Sequence, residues 1–171
     1  NGTLTDMDGA ADWLSSGVNL GNDVSSASNS VTNTSVATGV SNFAAANLSI
    51  DFTAHSATED FTVTYQAFAP NTTTGAAGDN IISNPMWTVN KSTSSSTQTM
   101  DMTFTFASLT ETGLCGFRLY NRAMNAEGTW TEVASAASSV TGTTVTFDGI
   151  TATGQFMVVE NTVTTPDIVR G

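Results

Sequence analysis

The chain has one cysteine, one histidine, three prolines and four basic residues among its 171 positions. Each scarcity excludes something. With Cys115 alone, no intrachain disulfide can form. Leu114, Gly116 and Phe117 surround it, and no basic residue stands within two positions, so it reads as a buried small hydrophobe rather than a reactive thiol. One Cys and one His do not make a zinc site. A Ser-His-Asp triad would have to use His55, but no G-x-S-x-G elbow is present, and Ala54-His55-Ser56-Ala57 reads as a turn. Neither standard phosphate-binding glycine loop occurs.

Positive charge is confined to Lys91, Arg118, Arg122 and Arg170, against 15 acidic residues, for a net charge of -11. No basic patch can form, which argues against nucleic acid and against anionic membrane surfaces as partners. No apolar run approaches the roughly 18 residues needed to span a bilayer. The hydrophobic N-terminal helix through which type IV pilins assemble is missing as well. The acidity itself serves solubility; a sharper reading is a saline or cation-rich setting, or assembly bridged by cations. The carboxylates could in principle supply a glycosidase pair. However, Asp51 and Asp101 fall on the polar side of alternating strands, and Glu59, Asp60 and Glu111 fall in turns, so they read as solvated. No enzymatic activity is expected.

Charged residues make up 11% of the chain, where about 25% is usual. Exposed helix would lack its ion pairs. Thr supplies 31 residues, and its branched Cβ favours strands. Leu48, Ile50 and Phe52 alternate with polar residues, as do Phe61, Val63 and Tyr65, and then Met100, Met102, Phe104 and Phe106. This is the period of half-buried strands. Ile81 to Val89 carries Pro85, which predicts an edge strand or a strand preceded by a bend. Further short runs, Leu114–Tyr120, Trp130–Val133, Val140, Val145–Phe147 and Phe156–Val159, are separated by Gly, Asn and Ser clusters, with Gly128 and Gly142 at turns. About eight or more strands near ten residues apart predict an all-β fold: a single β-sandwich of jelly-roll or Ig-like Greek-key type, with extended terminal arms.

Three segments follow. Residues 1–36 are a weakly structured arm or edge strands, 37–160 the sandwich, and 161–171 a C-terminal tail interrupted by Pro166. The start at Asn1 rather than Met fits processing, such as signal-peptide removal. In the first segment Asp6, Asp8 and Asp12 with Gly9 resemble half of a calcium loop, and they are the candidate metal ligands; the competing reading is a polar turn. Five Asn-x-Ser/Thr sequons occur, and Asn71 and Asn90 are the best glycosylation candidates because they are expected in polar loops. Trp13, Trp87, Trp130 and Tyr120 could stack on sugars if exposed, although core packing is the favoured reading.

The stretch 114–160 carries Leu119-Tyr120, then Gly128/Trp130/Val133, then Val145 to Ile150, then Gly154/Phe156/Val158. This series resembles the end-piece of β-sandwich modules in secreted bacterial and archaeal surface and appendage proteins, over about a quarter of the chain. The resemblance implies a secreted or cell-surface location and a structural role, and it transfers no catalytic residue. The expectation is a subunit of an extracellular filament, sheath or surface layer, with identical subunits as partners joined by strand addition. No cofactor beyond calcium is called for. The alternative is an adhesin module that binds carbohydrate or another surface.

Overall fold

We describe the protein from a computed structural model, for residues 28–67, 76, 80–81, 85–123 and 129–160. The candidate ligands Asp6, Asp8 and Asp12, the sequon at Asn71, Trp13, Gly128 and the tail 161–171 lie outside the described residues.

Among the described residues, twelve strands form two antiparallel sheets. In chain order they are β1 (Ser28–Val36), β2 (Gly39–Phe43), β3 (Leu48–His55), β4 (Glu59–Gln66), β5 (Asn80–Ile81), β6 (Met86–Lys91), β7 (Gln98–Thr105), β8 (Phe117–Arg122), β9 (Thr131–Ala134), β10 (Ser139–Thr141), β11 (Thr144–Ile150) and β12 (Gly154–Glu160). One sheet runs β1-β4-β6-β12-β8-β9, with the two-residue β5 pairing further along β12. The other runs β10-β11-β7-β3-β2. The chain therefore crosses between sheets repeatedly instead of meandering within one. Only two short 3-10 turns, Ala44–Ala46 and Leu114–Gly116, interrupt the strands among the described residues. The fold is the expected all-β sandwich.

The alternating positions fill the space between the sheets. Phe61, Val63, Trp87, Val89, Leu119, Phe156 and Val158 from one sheet meet Ile50, Phe52, Met100, Met102, Phe104, Val145 and Phe147 from the other, and each is at most 1% exposed. Burial of a side chain of this size contributes about 1.5–3 kcal/mol. Trp87 stands at the centre. Its ring meets Phe104 edge-on at 4.8 Å, Phe106 at 5.6 Å and Tyr65 at 5.6 Å, and its Nε1 donates to the Ala46 carbonyl across the core at 2.9 Å. Pro85 sits immediately before β6, where its missing N–H costs no ladder bond, and β6 is an interior strand between β4 and β12.

β12 departs from the two-residue period because both of its faces are covered. Phe156 and Val158 face the main core, while Met157 and Val159 join Met86, Tyr120 and Trp130 in a second apolar cluster on the outer side of the sheet. The Arg122 guanidinium lies over the Trp130 ring, 4.4 Å from its centroid. A run such as Phe156-Met157-Val158-Val159 is what a doubly covered strand requires.

One position corrects the sequence reading, and one segment takes the edge-strand form of its two expected forms. Cys115 is exposed, as is Leu114, because both lie in the 3-10 turn ahead of β8 and the core begins only at Gly116 and Phe117. Residues 28–36, read as part of an arm or edge segment, form β1 at the margin of the larger sheet.

Two outcomes are expected. Trp87→Phe keeps an aromatic ring but leaves the Ala46 carbonyl without its donor, so urea denaturation should show a loss of about 1–3 kcal/mol. Asp51 and Asp101 stand directly opposite each other on β3 and β7, and like charges so placed repel. Asp101 also accepts from the Gly149 N–H at 2.8 Å, so Asp51 is the one to change. Asp51→Asn should raise stability by about 0.2–1 kcal/mol in the same assay.

Candidate functional site

Two chain crossings meet at one end of the sandwich. Residues 56–58 carry the chain from β3 to β4, and residues 92–97 carry it from β6 to β7. Backbone and hydroxyl bonds stitch them together. The Ser56 N–H donates to the Thr97 carbonyl (2.9 Å) and the Thr97 N–H to Ser56 Oγ (2.8 Å). The Ser92 N–H donates to the Asp60 carbonyl (3.0 Å) and the Asp60 N–H to Ser92 Oγ (3.1 Å).

Between these crossings lies a buried polar cluster. Glu59, the first residue of β4, is 5% exposed, and Ser96 and Gln98 are 8% and 7% exposed. The Glu59 carboxylate accepts from His55 Nε2 (3.0 Å), from Ser96 Oγ and from the Thr93 N–H (2.7 Å). Lys91, at the end of β6, donates from Nζ to the Ser96 carbonyl, to Ser96 Oγ (3.1 Å) and to Gln98 Oε1 (2.8 Å). Gln98 in turn donates from Nε2 to the Thr151 carbonyl (2.5 Å), which ties in the β11–β12 connection. Burial raises the Glu59 carboxyl, but the bonds from Ser96, His55 and Thr93, with the Lys91 charge, outweigh it and hold the group below its ordinary value. An open depression of about 670 Å³ adjoins the cluster, lined by His55, Lys91, Ser96, Gln98, Thr151 and Thr153 among others.

His55 and Glu59 thus differ from their sequence reading as turn residues in solvent. Both side chains are 1% exposed. The His55 ring stacks on Phe52 at 5.5 Å and meets Phe61 edge-on at 5.4 Å. Its Nδ1 has no hydrogen-bond partner among the described residues. The local sequence gives no sign of this, because the cover comes from residues 92–97, more than thirty positions along the chain. Ser96, Gln98 and Lys91, too, lie in or beside a stretch that reads as an ordinary polar loop; the one signal is that the chain's single lysine falls there.

The cluster is not a hydrolytic triad. A triad places the histidine between nucleophile and carboxylate. Here Glu59 lies in the middle, with Ser96 and His55 bound to the same oxygen. Among the described residues no group of three or more His, Cys, Asp or Glu is arranged to hold a metal. Asn90 is exposed but sits within β6, opposite Thr62, rather than in a loop. Trp87, Trp130 and Tyr120 are at most 1% exposed, so none of them offers a face to a sugar. No helix among the described residues is long and apolar enough to cross a membrane. Comparison with protein-family models, with characterised proteins and with solved structures finds no match to this chain.

The Glu59 carboxyl supplies a pH test. Its folded value lies below the ordinary 4.5, so the stability it contributes is present above that value and is lost as pH falls through the lower folded value. Glu59→Gln should cost about 1–3 kcal/mol near neutrality. Denaturation measured across this acid window should then show a shallower loss in the variant than in the parent.

Proposed function

We propose that this protein is a structural subunit of an extracellular filament, sheath or surface layer, built by strand addition between identical subunits. The observation that carries the reading is the edge strand β1. It is nine residues long, Ser-Asn-Ser-Val-Thr-Asn-Thr-Ser-Val, with neither a charge nor a proline. Edges exposed to solvent are ordinarily guarded by short length, charge, proline or bulges. The other margins have such guards. β9 has four residues and carries Glu132, paired with Arg118 at 2.9 Å, and β10 has three residues. The Asn42 carbonyl of the marginal β2 accepts from Asn33 Nδ2 (3.1 Å), so part of that edge is already engaged.

On β1 the register with β4 is regular from Ser28 to Asn33, and a bulge follows, with Ser35 in the left-handed region at φ 53°. Ser28–Asn33 is therefore the flat, uncharged length suited to an incoming strand. Hydroxyl pairs back it: Ser30 with Thr64 at 3.1 Å and Thr32 with Thr62 at 2.8 Å. An added strand gains backbone hydrogen bonds along its whole length, which suits a permanent polymer. Because β1 belongs to the sandwich, the donor arm in this reading is residues 1–27 of a neighbouring copy. The thread of Thr and Ser with few charges on the described strands agrees with it, as does the length of β1, the longest marginal strand among the described residues. The burial of Trp87, Trp130 and Tyr120 removes the support the described residues could have given to a sugar-binding module.

Deleting residues 1–27 should leave a chain with the circular dichroism of a folded β protein that no longer assembles. Negative-stain microscopy of the parent should show regular fibres or lattices, and assembly unchanged by the deletion would contradict the assignment. Chelator added to the parent tests Asp6, Asp8 and Asp12 in the same images, since loss of assembly is expected only if a cation held by this arm is required.

A further inference from the structure

The chain spends its one lysine on the buried cluster, against a buried carboxamide. We propose that Lys91 and Gln98 are the two ends of an internal amide cross-link that the chain forms on itself, joining β6 of one sheet to β7 of the other.

Four features of the site support this. First, the partners are in reach. Lys91 Nζ lies 2.8 Å from Gln98 Oε1, and a C=O bond is about 1.2 Å, so the carboxamide carbon is at most about 4 Å from the amine. Second, the amide is oriented. Its Nε2 is held by the Thr151 carbonyl, which turns the carbonyl side toward Lys91 and leaves the departing nitrogen on the other side. Third, a proton path leads away from the amine. Ser96 Oγ accepts from Lys91 Nζ at 3.1 Å and donates to Glu59, whose carboxyl is held ionised by the bonds from His55 and the Thr93 N–H. The nucleophile bonds the relay and the relay bonds the base, so the three form a chain with Ser96 as its middle link. Fourth, Glu59, Ser96 and Gln98 are each under a tenth exposed and Lys91 is half-buried, which holds the reacting groups in place, and the adjoining depression gives ammonia a way out.

The step balances without a co-reactant. The Lys91 ammonium passes a proton through Ser96 to Glu59. The free amine attacks Cδ of Gln98 and the new C–N bond forms. The bond from Cδ to Nε2 breaks, and that nitrogen leaves as ammonia after taking a proton from the attacking nitrogen. Ammonia then takes up the proton held on Glu59 and departs as ammonium. Nothing is oxidised or reduced. The product is a secondary amide that closes residues 92–97 into a ring and fastens the two sheets at this end.

Intact-mass spectrometry of the unfolded protein decides it. The expected mass is lower than the sequence mass by one ammonia, and peptide mapping should place the loss in a linked pair containing Lys91 and Gln98. As the chain has no other lysine, an amine-reactive reagent applied after unfolding should label the N-terminus alone, and trypsin should leave the Lys91–Ser92 bond intact. Lys91→Arg should restore the full mass, and Glu59→Gln should slow the loss. A full-mass parent protein in which Lys91 is labelled and cleaved overturns the proposal, as does a mass loss that maps to an asparagine elsewhere.

Discussion

The indole N–H of Trp87 reaches across the core to the Ala46 carbonyl, and the two sheets keep their relative position through that bond and the rings packed around it. A sandwich core is otherwise non-directional, since apolar side chains fill space without fixing how one sheet slides on the other. A buried donor with one acceptor in range does fix it, because misalignment would leave both groups unpaired. Phe104, Phe106 and Tyr65 each meet the indole edge-on, and Phe147 extends the aromatic contacts to β11. On the far side of the same sheet, Trp130 and Tyr120 cover Met157 and Val159, so the last described strand is the most enclosed element of the fold.

The end of the sandwich is organised on the opposite principle. Where the chain crosses twice between sheets, backbone groups lose their ladder partners and must find others. Ser56, Ser92 and Thr97 supply them, and the space they enclose is filled by Glu59, His55, Lys91, Ser96 and Gln98 rather than by apolar groups. Every one of these side chains is held by at least one bond, which makes the cluster rigid and places an amine, a carboxamide and a carboxylate within a few ångströms. This cluster ties its loops down through hydrogen bonds to ionised groups, which are stronger than neutral ones.

The sequence shows the strands whose two faces differ. Leu48, Ile50 and Phe52, or Met100, Met102 and Phe104, announce themselves because one face meets the core and the other meets water. β1 and β2 are faint in sequence because an edge strand buries little: among their residues of described burial, only Val36 and Phe43 are buried. β12 shows as a strand, and its unbroken apolar run signals two covered faces, but no local pattern says what lies above Met157. The polar cluster was unreadable for a related reason. Glu59 and Gln98 become neighbours only after the sheets close, and their surroundings in sequence are the Ser and Thr of an ordinary loop. Cys115 misleads in the other direction, because apolar neighbours do not bury a residue that lies in a turn ahead of its strand.

An uncharged edge such as Ser28–Asn33 is a hazard in a protein meant to stay single and an asset in one meant to polymerise. Amide hydrogen exchange on assembled and dissociated protein compares the two directly. With strand addition at β1, the amides of Ser28–Asn33 that face away from β4 should exchange quickly in the single subunit and become strongly protected in the assembly. Assembled material in which those amides exchange as fast as in the free subunit would contradict strand addition at β1.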